Sequence, residues 1–127
     1  MSAVLLDTHA LLWWLDDDPR LGTRARRTIA RGDITVSIVT FWEIALKHGI
    51  GKLAIAPEPV AHAVDRSGFA MLDLARHHCF ALARLPLHHR DPFDRMLIAQ
   101  AQSEEMPILT SDRRFAAYEV TLLAEGE

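Results

Sequence analysis

A single cysteine among 127 residues excludes an internal disulfide, so nothing covalent staples the fold. Staples are not needed either, because a chain of this length with half its residues hydrophobic can bury a core as one domain, taken here as residues 1–127. Cys79, followed by Phe80-Ala81-Leu82, reads as a buried, reduced thiol, and a reduced thiol points to the cytoplasm. Positive charge is short: 14 Lys and Arg stand against 17 Asp and Glu, for a formal charge of −3. That balance excludes a dedicated nucleic-acid coat, and any nucleic-acid contact must be local. Long apolar runs are missing too. The first one is cut by Asp7 and has no basic segment ahead of it, so neither a signal peptide nor a membrane span is expected.

Several chemistries lack their residues. There is no glycine-rich phosphate loop, no Cys–His pair and no nucleophile elbow, which removes nucleoside-triphosphate binding and covalent catalysis. His77-His78 and His88-His89 suggest zinc, but adjacent residues on a helix or loop are expected to point apart, and Cys79 adds no ligand spacing. Internal repeats and low-complexity tracts are absent.

What is present is alternation. Short apolar segments at 3–6, 34–37, 69–72 and 108–110 read as strands, with a weaker one at 120–123. Between them lie helical stretches at 8–15, 21–30, 39–49, 60–65, 75–85 and 93–104; Gly32 and Gly49 serve as stops, Pro57 and Pro59 bracket a turn, and 86–92 is irregular. Strands alternating with helices predict an α/β domain of three layers, α/β/α, around a central parallel sheet of four or five strands. Ligands of such sheets bind beyond the carboxyl ends of the strands.

Acidic residues sit at those ends. Asp7 follows the first strand and Asp112 the fourth; each caps a helix, binds a cation, or does both. Glu43 lies in the apolar helical stretch Thr40-Phe41-Trp42-Glu43-Ile44, where it must face solvent, a cation or Lys47 one turn on. In Asp91-Pro92-Phe93-Asp94, proline suits the first helical turn, which makes Asp91 the N-cap and supporting residue and Asp94 the better ligand. Carboxylates crowded at one edge would repel one another without a cation, and hard oxygen donors imply Mg²⁺ or Mn²⁺. A water acidified by that ion is the natural nucleophile for a phosphodiester. Ser37, Thr110 and Ser111 are placed to orient waters or carboxylates. His9 either touches a substrate phosphate or packs beneath Trp13. Arg24, Arg27, Lys47 and Lys52 are candidates for contacts with a phosphate backbone.

The segments Leu5-Leu6-Asp7-Thr8-His9-Ala10-Leu11-Leu12-Trp13, Trp42-Glu43-Ile44-Ala45, Asp91-Pro92-Phe93-Asp94-Arg95-Met96-Leu97-Ile98-Ala99-Gln100-Ala101 and Leu109-Thr110-Ser111-Asp112 resemble, in order and over nearly the whole chain, a PIN-domain ribonuclease of the VapC toxin type. The resemblance implies a PIN-like nuclease domain with Mg²⁺ or Mn²⁺ on Asp7, Glu43, Asp94 and Asp112. It also implies endonucleolytic cleavage of RNA, in many relatives a tRNA or rRNA, a homodimeric state, and restraint by a cognate VapB-type antitoxin whose C-terminal segment covers the acidic site. A different reading keeps the fold but makes the chain a catalytically idle module whose acidic cluster mainly binds a basic antitoxin peptide. A phosphatase of similar layering is disfavoured, because Asp7-Thr8-His9 lacks the second Asp of one such loop.

Overall fold

The computed structural model describes residues 3–110 and the backbone of 122–124; Ser111 and Asp112 lie outside the described residues. In chain order the elements are β1 (Val4–Leu6), α1 (Thr8–Leu15), α2 (Thr23–Arg31), β2 (Ile34–Ser37), α3 (Ile38–Gly49), α4 (Pro57–Ser67), β3 (Ala70–Leu72), α5 (Arg76–Ala83), α6 (Pro92–Glu104), β4 (Ile108–Thr110) and β5 (Leu122–Ala124). All strand pairings are parallel, in the order β3-β2-β1-β4-β5. The expected α/β/α architecture is the one observed.

Strand order fixes where a site can form. From β1 the chain steps outward to β2 and β3, then returns to lay β4 against the other side of β1. The direction of winding reverses between β1 and β4, which opens a crevice beyond their carboxyl ends. Register sharpens this: Leu5 pairs with Ile108 and with Thr35, and Leu6 with Leu109. Continuing the first pairing from Leu5–Thr35 by two residues and the second from Leu6–Leu109 by one puts Ser37, Asp7 and Thr110 in one row across the end of the sheet. The Asp7 N–H donates to Leu109 O at 3.2 Å, holding Asp7 to that row.

Alternation along the strands feeds two cores, one on each face. Val4, Leu6, Ile34, Val36 and Leu109 pack with Leu11, Ile29, Ile44 and Val64 of the first four helices. Leu5 and Ile108 point the other way, onto Leu97, Ile98 and Met96 of α6. Full burial of Leu97 and Ile98 stabilises the fold by about 1.5–3 kcal/mol each, which anchors α6 and with it the carboxylates at its start.

Two expectations need correction. Helix α4 begins at Pro57 rather than at 60, because a first helical turn leaves its N–H groups unpaired anyway and accepts both prolines; it ends at Gly68, whose φ of 74° suits glycine. Cys79 is exposed, not buried. Helix α5 turns His78 inward instead, and Phe80 is exposed beside the thiol.

Candidate active site

Asp7 is the N-cap of α1. Its Oδ1 accepts from the Ala10 N–H at 2.7 Å, while Oδ2 accepts from the Thr110 hydroxyl at 2.5 Å. The cap and the bridge to β4 together fix this buried carboxylate at the crevice between β1 and β4. Thr8, the first residue of α1, reaches across to α3: its hydroxyl donates to Glu43 Oε1 at 2.6 Å and lies 3.3 Å from the Thr40 hydroxyl. Thr40, Glu43 and Lys47 share one face of α3, by spacings of three and four residues. Glu43 is only 3% exposed, and its Oε2 accepts from the Lys47 ammonium at 2.5 Å.

Helix α6 supplies the third carboxylate. Asp91 is its N-cap, with Oδ1 accepting from the Phe93 and Asp94 N–H groups at 2.9 and 3.0 Å. That hydrogen bonding gives Asp91 the capping role its sequence position suggested. Asp94, in the first turn, has Oδ2 2.8 Å from Nε2 of the buried His89. Burial, followed by the negative charge of Asp91, pushes the Asp94 carboxyl up to about 6; Glu43 adds to the rise, and the His89 hydrogen bond opposes it. The Lys47 ammonium is shifted up, chiefly by its hydrogen bond to Glu43, with smaller contributions from Asp91 and Asp94. Each of these charges therefore feels the others across α3 and α6.

That donor set fits a divalent cation. Carboxylate oxygens dominate it and they are desolvated; burial raises Asp94 most, with the charges of Asp91 and Glu43 adding to it, which is the situation a hard cation relieves. Asp7, Glu43 and Asp94 are the described carboxylates on this side of the sheet that could share such an ion; their oxygens do not all lie within 4.8 Å of one another, so an ion would have to draw them together. Asp112 follows β4 in sequence but lies outside the described residues, as does Ser111.

The remaining candidates are dispersed. Thr110 orients Asp7, and the Ser37 hydroxyl caps α3 while donating to Gln100 Oε1 at 2.5 Å. Lys47 is half-buried against Glu43, whereas Lys52 is exposed past the end of α3, and Arg24 and Arg27 are exposed on α2. His9 is exposed, with its ring 6.3 Å from that of Trp13. Both rings line a largely apolar groove of about 530 Å³, with Leu12, Leu53 and Ile55.

Sequence reasoning missed Thr8 as a partner of Glu43 and His89 as a partner of Asp94. Strand order carried a usable signal for the first, since neighbouring parallel strands bring the starts of α1 and α3 together. Nothing local marks His89, which sits in the irregular loop before α6.

Among the described residues, the His, Cys, Asp and Glu side chains whose ligand atoms all fall within 4.8 Å of one another are His77, His78 and Glu104. The adjacent histidines do not point apart as expected. Their rings lie 4.2 Å from each other, and both Nε2 atoms reach Glu104 Oε2, at 2.8 and 3.0 Å, because one long side chain from α6 stands between them. Hydrogen bonding argues against a metal here. The Ala75 N–H donates to His78 Nδ1 at 3.0 Å, so Nδ1 is the bare nitrogen and Nε2 carries the proton, leaving no lone pair for an ion.

The PIN domain family model matches residues 4–120. Ribonuclease VapC22 of Mycobacterium tuberculosis is 26% identical, with 93% of each chain covered. Among solved structures, VapBC2 of Rickettsia felis, bound to a DNA fragment from its promoter, superposes with a TM-score of 0.71 at 15% identity, covering 95% of this chain and 97% of that one. VapBC-5 of Mycobacterium tuberculosis, described as a member of the VapBC family of toxin-antitoxin systems, gives 0.62 at 20% identity and 97% coverage of both.

Proposed function

The chain belongs to the PIN domain family, and from that premise we propose that it is a VapC-type toxin: a Mg²⁺- or Mn²⁺-dependent endoribonuclease. The observation that supports the reading is that Asp7 ends β1 where the winding of the sheet reverses, that Glu43 is tied to the start of α1 by its hydrogen bond to Thr8, and that Asp94, in the first turn of α6, feels the Glu43 charge. Asp112 completes the proposed quartet by its place after β4. Support for RNA as substrate comes from the VapC22 likeness.

When bound, the ion supplies an acidified water and offsets charge on the phosphate. The chain's own groups do the rest. Asp7 is held in one orientation by Ala10 and Thr110, so its carboxylate needs no reorganisation. Glu43 is braced by Thr8 and Lys47. His89 holds Asp94 in place by hydrogen bonding to Oδ2. Lys47, Lys52, Arg24 and Arg27 contact RNA phosphates in this proposal, giving affinity without base specificity.

A VapB-type antitoxin is the proposed partner. The groove beside His9 and Trp13 is lined mainly by apolar side chains, with Asp16, Asp18 and Arg20 also lining it and Arg20 paired to Asp18, features suited to an apolar segment. A homodimer is proposed through α3 and its C-cap, where Ile38, Trp42, Leu46 and Ile50 recur every four residues and are all exposed. The cytoplasm is the proposed location; among the described residues no helix is long and apolar enough to cross a membrane.

The test is cleavage of total RNA by purified protein with Mg²⁺, with excess chelator, and after Mg²⁺ is restored. Fragments are expected in the first and third conditions. Cleavage undiminished by chelator would exclude the metal mechanism. Toxicity retained by Asp94→Asn would favour the idle binding module.

A further inference from the structure

Lys47 does not behave as the solvated helix pair its spacing suggests. An exposed Glu–Lys pair one turn apart contributes only tenths of a kcal/mol. Here the Glu43 side chain is 4% exposed and Lys47 36%, so the carboxylate is desolvated while the ammonium spans from interior to surface. Glu43 Oε1 is already committed to Thr8, and Oε2 accepts one N–H of the ammonium. An ammonium has three N–H groups, so among the described residues two remain for a ligand arriving from the solvent side. Asp91 and Asp94, at the start of α6, act on the same ammonium. The Lys47 ammonium thus bonds the α3 carboxylate and lies within the field of the α6 carboxylates.

Nucleases that bind two divalent ions hold them about 3.5–4 Å apart, each neutralising part of a shared acidic cluster. Any ion at the Glu43 oxygens meets the Lys47 charge, and a second ion would meet the charge of the first as well, so the ammonium leaves room for one. We propose that Lys47 is a resident cation of the carboxylate cluster, taking the place of a second metal ion, so that each chain binds one divalent ion and the remaining ammonium N–H groups hold the phosphate being cut. The inference rests on the phosphodiesterase reading for its phosphate, but its count of ions does not. Lys47 positions Glu43 and substrate by charge; no proton leaves it.

The experiment is a titration of the full chain with Mn²⁺ alone, reading the free ion by electron paramagnetic resonance. Wild type is expected to bind one Mn²⁺ per chain at the cluster, lost in Asp94→Asn. Lys47→Met is expected to bind a second ion, or to bind the single ion at least about tenfold more tightly, because a repelling charge has gone. Lys47→Arg, which keeps the charge, is expected to stay at one. Two ions in wild type would overturn the proposal without any variant having to fold. So would a folded Lys47→Met, checked by its melting curve, with unchanged count and affinity. Two ions in wild type together with Mg²⁺-dependent RNA cleavage would remove the role of Lys47 and leave the nuclease standing; one ion rising to two in Lys47→Met, with no RNA cleaved, would do the reverse.

Discussion

Helix α6 carries a histidine–carboxylate contact at each end, and the two carboxylates respond in opposite directions. At its start, Asp94 bonds His89 at 2.8 Å, yet burial and the charges of Asp91 and Glu43 push its carboxyl up to about 6. Near its end, Glu104 bonds His77 and His78 at similar distances, and those hydrogen bonds hold its carboxyl below the ordinary value. Distances to histidine do not separate the two. What separates them is desolvation beside like charges, which makes one end a place that gains from a cation while the other is already satisfied.

The largest effect expected from that difference is on RNA cleavage. Asp94→Asn should lower cleavage by about 10³-fold or more, on the scale of losing a principal electrostatic group of an active site. Glu104→Gln should leave it within about twofold. Rates measured side by side with Mg²⁺ check this, and equal losses in both variants would dissolve the comparison.

Stability against pH comes next. The Asp94 carboxyl lies higher in the folded chain than its ordinary 3.8, so its favourable contribution is complete below pH 3.8 and is lost as pH rises through about 6. Without metal, this group alone should cost about 2–3 kcal/mol between pH 4 and 7, a dependence absent from Asp94→Asn and offset by Mg²⁺. Urea titrations at several pH values, with and without Mg²⁺, read it directly.

Much of this geometry was legible in the sequence, for definite reasons. Asp7 announces itself by ending an uninterrupted apolar strand, and Asp91 and Asp94 by flanking a proline that only a first helical turn accepts. Parallel pairing followed from the alternation of strands and helices, and it assigned the strand-end acids to one edge, whereas the order β3-β2-β1-β4-β5 came from the structure. The rest depends on how helices are rotated about their own axes. Thr8 meets Glu43 across 35 residues, and no local pattern encodes that contact. Cys79 misled because its neighbours are apolar, whereas α5 buries a histidine whose polar atoms find Glu104, Gln100 and the Ala75 N–H inside. An apolar neighbourhood in sequence is a poor guide to burial on a two-turn helix.

Smaller effects probe how each end is braced. Thr110→Val removes the hydroxyl that holds Asp7 Oδ2 and should lower cleavage about tenfold, with the melting temperature changed by only a few degrees. Glu104→Gln should cost about 1 kcal/mol by weakening the bond to buried His78, seen as a lower urea midpoint with cleavage preserved.

The most direct test of the central claim, that the cation belongs to the start of α6 and not its end, is the anomalous scattering of crystals soaked in Mn²⁺. A peak is expected within coordination distance of the Asp7 and Asp94 carboxylates, with none beside Glu104. A peak held by His77, His78 and Glu104, with nothing at Asp94, would contradict it.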